Sequence, residues 1–330
     1  MAAYLILCPS KRILCPRDLQ CAMPQERPDM TIIHSPSGAP LDAAFVACGG
    51  AGCKMLADGL LPDRHLRIAI GPDPKAMDPA NASKVFVASP GELESDALVS
   101  AKSARLAGSE LERELAECLV GRDIVFMVAG LGGLSGGWGA VVGARAARVA
   151  RTVGVCVASA PFSVEGPSRR ERASAQLRAL SATADASLVI QNDMILAEAP
   201  KLPINSAFRV MNGVMASPIG LMLRCFGKDD LGMLERHFSL GRVMAMDSAE
   251  WDRENAEFAV AEALGKSKWL GLEARKPKSA ILFVEGRCLH GDMEELGRLF
   301  LRAAGGGCGL ILANAGERKE GLRVIAAVGF

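Results

Sequence analysis

The chain has 330 residues, half of them hydrophobic, with 38 basic side chains against 37 acidic ones. That length and composition exclude a disordered chain and suggest two domains, and the near balance of charge makes nucleic acid an unexpected partner. With 35 glycines but one Tyr and three Trp, the composition favours a site built from backbone loops over one built from stacked aromatics.

Residues 1–42 alternate short apolar runs (Tyr4 to Leu7, Ile13 and Leu14) with Pro9, Pro16, Pro24 and Pro28, the pattern of an appended hairpin or arm. No cationic start with an apolar stretch and cleavage site opens the chain, and the ten cysteines are dispersed without a CxxC pair or zinc-ligand spacing. A cytoplasmic protein with reduced thiols and no metal site is expected. The apolar tract Val210 to Leu223 carries Asn212, Gly213 and Pro218 and falls short of the roughly 18 residues of a membrane span, so a buried helix is expected and no transmembrane segment.

From Ala43 a unit repeats: apolar run, glycine loop, helix. Ala44 to Ala47 leads into Cys48-Gly-Gly-Ala-Gly52, and Asp123 to Ala129 leads into Gly130-Leu-Gly-Gly-Leu-Ser-Gly-Gly-Trp-Gly139. A helix over 140–151, a strand over 154–158, an arginine-rich helix over 169–180 and a strand over 187–190 follow. Buried strands alternating with helices predict a parallel α/β sheet. Beyond Leu223, helices over 230–238, 252–264 and 292–304 mix with strands over 279–285, 309–313 and 322–329, predicting a second, α+β domain.

Glycine loops at the carboxyl ends of parallel strands present backbone N–H groups and a helix dipole to an anion, so a phosphate is the natural ligand. The P-loop GxxxxGK[ST] is absent, and the dinucleotide fingerprint fails because Ser135 stands at its third glycine. Gly133-Leu-Ser-Gly-Gly137 does match a GxSxG nucleophile elbow, with Asp193 or Asp247 and His290 in hydrolase order, so a serine hydrolase using Ser135 is a rival reading. Against it, Gly130-Leu-Gly-Gly intervenes where an elbow would leave its strand directly.

The ordered set FVACGGAGCKML, DIVFMVAGLGGLSGG, PFSVEGPSRR, VIQND, AFRVMN and VIAAVGF resembles the tubulin/FtsZ superfamily, and FtsZ more closely than tubulin. The resemblance covers residues 43 to 330 and implies a parallel-sheet tubulin/FtsZ-type domain binding GTP or GDP over 43–205, a central helix over 206–226 and an activation-like domain over 227–330. It implies that Gly49, Gly50 and Gly52 pass close to the phosphates and that Gly132, Gly133, Ser135 and Gly136 cradle them. Glu165 would accept from the ribose hydroxyls, Arg169 would sit near phosphate or sugar, and Asn192 and Asn212 would meet the base. Phe208 would lie against the base face, or pack in the core. The resemblance leaves room for Mg²⁺, and implies that the protein associates with itself head to tail into filaments, as in cell division.

The departures cluster where nucleotide chemistry happens. Leu134 and Trp138 replace small residues, Ala47 replaces a glycine and Lys54 stands where these proteins have Asn. The γ-phosphate loop corresponds to Ser89 to Asp96, with one glycine and three carboxylates: a site element or a solvated helix start. The hydrolytic loop, near NxDxxD in these proteins, reads Arg224-Cys-Phe-Gly-Lys-Asp-Asp230, shorter and with Asp230 and Asp229 as its remaining acids. Weak or absent GTPase activity is expected. A nucleotide-locked scaffold or regulator of a conventional FtsZ partner is the alternative to a filament-forming protein.

Overall fold

The computed structural model describes residues 30–75, 77, 82–88, 110–251, 255–272, 274–316, 318 and 321–330; Ser89 to Asp96, assigned above to a γ-phosphate loop, lies outside them. Its strands are β1 (Met30–Ile33), β2 (Ala43–Cys48), β3 (Leu66–Gly71), β4 (Lys84–Val87), β5 (Ile124–Gly130), β6 (Val153–Ala160), β7 (Ala186–Gln191), β8 (Val243–Trp251), β9 (Ser279–Gly286), β10 (Gly309–Gly316) and β11 (Leu322–Gly329). They form one continuous sheet in the order β1-β10-β9-β11-β8-β7-β6-β5-β2-β3-β4. Every pairing is parallel except those of β11, which runs antiparallel to both β8 and β9.

Strands β2, β5 and β6 are buried almost end to end because helices cover both faces, and successive side chains serve opposite layers. Phe45 and Ala47 face one cluster, with Phe126 and Val128, while Ala44, Val46 and Cys48 face another. The first cluster packs against α1 (Gly49–Ala57), the long helix α6 (Ile204–Cys225) and α7 (Leu231–Leu240). The second packs against α2 (Glu110–Leu119), α3 (Leu134–Val149) and α4 (Pro167–Thr183). In the carboxyl-terminal half, α8 (Ala256–Gly265) and α9 (His290–Ala303) cover Ala280, Leu282 and Val284, whereas Ile281 and Phe283 turn toward the α6 layer. The short α5 (Asp193–Glu198) precedes α6. The two halves of the sheet join over the short register Ser187↔Val243 to Val189↔Ala245.

Of the hairpin or arm expected over residues 1–42, the described part is an arm: Met30–Ile33 adds in parallel to β10 at the far edge of the sheet, so the chain then crosses to β2 in the other half. Two expectations are corrected. The glycine runs are less loop than expected, since Gly49 and Gly50 already belong to α1, and α3 begins at Leu134, not Ala140. The apolar tract 210–223 is helical but only one side is buried; Val210 and Val214 are exposed. No helix among the described residues is long and apolar enough to cross a membrane, and the seven described cysteines are all free.

Candidate functional site

A cavity of about 630 Å³ opens at the carboxyl ends of the parallel strands, between α1, α3 and the start of α6, where open α/β sheets take their ligands. Two helices begin at it. Helix α1 follows β2 directly and α3 starts after Leu131, Gly132 and Gly133; neither Cys48 nor Gly133 caps its helix through a side chain, and neither helix has an acidic residue in its first turn. Unsatisfied N–H groups and two positive dipole ends therefore converge on one space, which favours an anion there.

The glycines divide into two kinds. At Gly49 (φ +64°) a Cβ would come within 2.7 Å of the Gly136 nitrogen; at Gly52 it would collide with the Val128 carbonyl, and at Gly136 with that of Gly130. At Gly132 (φ +82°) it would lie 2.6 Å from the Arg169 carbonyl. These positions need glycine so that α1, α3 and the strand ends can approach each other. Around Gly50 and Gly133, by contrast, nothing lies within 4 Å of an added Cβ; both line the cavity, as do Ser135 and Gly136, whereas Gly49, Gly52 and Gly132 do not.

The loop before α3 is held from α4. The Gly132 N–H donates to Gln176 Oε1 (2.8 Å), Gln176 Nε2 donates to the Gly133 carbonyl (2.7 Å), and Arg172 Nη1 donates to the Gly132 carbonyl (2.8 Å). Sequence reasoning missed Gln176 and Arg172. The available signal was a polar residue within the buried stripe Ala173, Gln176, Ala179, Leu180.

On the far wall, Glu165 Oε1 accepts from the Phe162 N–H (2.7 Å) and Oε2 pairs with Arg169. The carboxylate is thus bound to its own loop, and both residues line the cavity. Phe208 is 40% exposed at the cavity, its ring held edge-on by the buried Phe162 at 5.1 Å. This overturns the core-packing reading of Phe208. Asn192 and Asn212 are buried and line the same end, and Asn192 Oδ1 has no hydrogen-bond partner. A buried orphan acceptor costs stability unless a donor reaches it. Lys54, Asn205 and Arg209 line the cavity as well.

The loop after α6 is closed by the amino-terminal arm. Asp230, buried, accepts at Oδ2 from the Ser37 N–H (2.9 Å) and the Gly227 N–H (2.8 Å). The Asp229 and Lys228 N–H groups donate to the Ser37 and Ala39 carbonyls, and Pro40 pairs antiparallel with Gly227. Asp229 is exposed, and Lys228 reaches Asp123 at 3.0 Å.

The hydrolase constellation is not assembled. His290 hydrogen-bonds His34 (2.8 Å), Asp193 accepts from the Ser163 N–H (2.9 Å) and Asp247 pairs with Ser267; none of the three lines the cavity of Ser135. Among the described residues no cluster of three His, Cys, Asp or Glu could hold a metal ion.

No family model matches the chain. Among curated proteins, cell division protein FtsZ 1 of Pyrococcus horikoshii is 33% identical over 185 residues, 54% of this chain and 50% of that protein. FtsZ of Methanothermobacter thermautotrophicus is 35% identical over 185 residues, 48% of its length. FtsZ 1 of Pyrococcus woesei is 28% identical over 290 residues, 84% of this chain and 77% of that one. The chain spans about half the length of the first two relatives. An empty FtsZ dimer of M. jannaschii superposes with a TM-score of 0.72 at 20% identity, covering 88% of each chain. A GTPγS-bound CetZ2 protofilament of Haloferax volcanii gives 0.62 at 18%, covering 88% of this chain and 93% of that one. These superpositions show the fold. In sequence the chain is similar to curated FtsZ proteins, and in fold to FtsZ and CetZ.

Proposed function

We propose that this FtsZ-like chain is a cytoplasmic, cytoskeletal protein that holds GTP or GDP in the cavity described above, associates with itself head to tail, and hydrolyses nucleotide slowly or not at all. The observation that carries the reading is the convergence of two helix starts without side-chain caps, at Gly49 and Leu134, on a space that the missing Cβ atoms of Gly50 and Gly133 leave open. Amide dipoles there take the place of a P-loop lysine. At the other end, Asn192 Oδ1 and the Asn212 amide offer both acceptor and donor to a guanine edge, and Phe208 gives an exposed ring for its face. The residues present thus suit the nucleotide. In this reading Glu165 meets the ribose hydroxyls and Arg169 beside it the phosphate or sugar.

Domains over 43–205 and 227–330, joined by the helix near 206–226, are part of the same proposal. So is the assignment of hydrolysis to Asp229 and Asp230. In-line attack by water needs a positioned carboxylate as well as charge stabilisation. Asp230 Oδ2 accepts from two backbone N–H groups, and Asp229 is the exposed acid of the loop.

The arm over residues 37–40 favours a second reading. Because it lies against the loop that such proteins present to a neighbour, the chain would instead be a nucleotide-locked scaffold or regulator of a conventional FtsZ. Sedimentation with GTP and with GDP, run beside phosphate release, tests both. Stable pelleting with slow release supports a self-assembling protein; nucleotide binding without pelleting at any concentration supports the regulator. Release that rises cooperatively with concentration and collapses in Asp230→Ala or Asp229→Ala contradicts the proposed slow hydrolysis.

A further inference from the structure

We propose that His34 and His290 form a binding site for a divalent transition-metal ion such as Zn²⁺ or Ni²⁺, which clips the amino-terminal arm to the start of α9. The chain has four histidines. His65 and His237 are buried, whereas His34 and His290 are exposed, and these two meet across 256 residues of sequence with His34 Nε2 2.8 Å from His290 Nδ1. Their ring centroids are 5.1 Å apart. His34 immediately follows β1 and His290 is the first residue of α9, so no local spacing in the sequence announces the pair.

A tetrahedral ion with metal–nitrogen bonds of about 2.0–2.1 Å holds two such atoms about 3.3 Å apart. A parting of about 0.5 Å therefore seats an ion where the two rings now share a proton. Glu294 Oε1 lies 3.4 Å from His290 Nε2 and favours the proton on that nitrogen, which leaves the Nδ1 lone pair toward His34; carboxylates orient metal-binding imidazoles in this way. His34 then carries the shared proton on Nε2, and its transfer through solvent to Nδ1 frees the second lone pair without change of charge. Asp292, in the first turn of α9, accepts the Leu289 N–H at 2.8 Å and offsets the positive helix end that would repel a cation. With two protein ligands, water takes the remaining positions. Imidazole ligands select Zn²⁺, Ni²⁺ or Cu²⁺ over Mg²⁺ and Ca²⁺, which prefer oxygen. The consequence is mechanical. Strand β1 is held to β10 only from Met30↔Leu310 to Ile33↔Ala313, and an ion at its end fastens the arm just before it runs on to Ser37 and the loop after α6.

The test is calorimetric titration of the full chain, free of nucleotide, with Ni²⁺ and with Mg²⁺, for wild type, His34→Ala and His290→Ala, beside hydrogen exchange of the β1 amides. Because both side chains are exposed, the variants should melt within about 2 °C of wild type in the absence of metal. Wild type is expected to bind Ni²⁺ and not Mg²⁺, and each variant to lose about tenfold or more in Ni²⁺ affinity. Exchange at residues 30–33 should slow on addition of Ni²⁺ in wild type and stay unchanged in both variants. Equal Ni²⁺ affinity in all three proteins would place the metal elsewhere, on the thiols for example, and overturn the site. A wild type that takes up no Ni²⁺ would do the same, and Ni²⁺ binding that leaves β1 exchange unchanged would overturn the clip.

Discussion

The Ser37 N–H donates to Asp230 Oδ2 at 2.9 Å across 193 residues of sequence. With the Gly227 N–H on the same oxygen at 2.8 Å, the last acid of the loop acts as a pin between the amino-terminal arm and the end of the long helix. Glycine is needed on both sides of the contact: Gly38 has φ +78° with its Cβ position 2.6 Å from the Asp229 carboxylate, and a Cβ on Gly227 would collide with the Ser37 carbonyl.

Asp230→Ala therefore leaves two N–H groups without their acceptor, one of them buried, at a cost on the order of 1–3 kcal/mol. Asp229→Ala, at an exposed position, should stay within about 0.5 kcal/mol of wild type. Urea unfolding of the two variants checks the difference; equal midpoints would show that Asp230 is not a structural pin.

Gly133→Val and Gly136→Ala should separate binding from folding. Nothing lies within 4 Å of the Gly133 Cβ position, so the valine variant should fold normally and lose nucleotide. An added Cβ at Gly136 meets the Gly130 carbonyl, so even alanine should destabilise by about 1–3 kcal/mol or more. Gln176→Ala removes the partners of Gly132 N–H and Gly133 carbonyl and should both destabilise the fold and weaken binding. Circular-dichroism melts beside GDP titrations read both quantities, and full GDP affinity in Gly133→Val would contradict the placement of the phosphate.

His65 predicts an acid-side loss of stability. It is buried, and its Nδ1 accepts from the Ala43 N–H at 3.3 Å. Burial chiefly, then Arg64 and Arg122, hold its pKa below the usual 6.5, with Asp42 opposing. The unfolded chain therefore takes up a proton near pH 6.5 before the folded one does, so the stabilisation is complete above that value and declines as the pH falls below it. Urea midpoints between pH 8 and 5, a range on the order of the histidine titration, should fall for wild type. The slope should be flatter in His65→Gln; identical slopes would show that His65 does not cause the decline.

Strands buried on both faces are legible because they read as unbroken apolar runs, as at Ala43–Cys48 and Ile124–Gly130. Strand β3 was obscured by Arg67, whose guanidinium is buried by donating to the Leu56 carbonyl (2.7 Å) and pairing with Asp63. Strand β8 was hidden by Asp247, Ser248 and Glu250, polar residues that its antiparallel pairing with β11 tolerates on a partly exposed strand. The cavity residues Gly50, Gly133, Asn192 and Asn212 were legible from motif order. The pin at Asp230 was not, because local spacing carries no sign of a partner as distant as Ser37. For the same reason the sequence pattern offered β1 as an arm without showing that β10 would receive it.

The central claim is a guanine-selective nucleotide site, and the most direct measurement is equilibrium binding of GDP and ADP to the wild-type protein beside Asn212→Leu. GDP should bind and ADP should be weaker by about tenfold or more, since a site built to hydrogen-bond one base edge leaves buried polar groups unpaired with the other. The ratio should shrink in Asn212→Leu. Equal affinity of wild type for GDP and ADP, or binding of neither, would contradict the account.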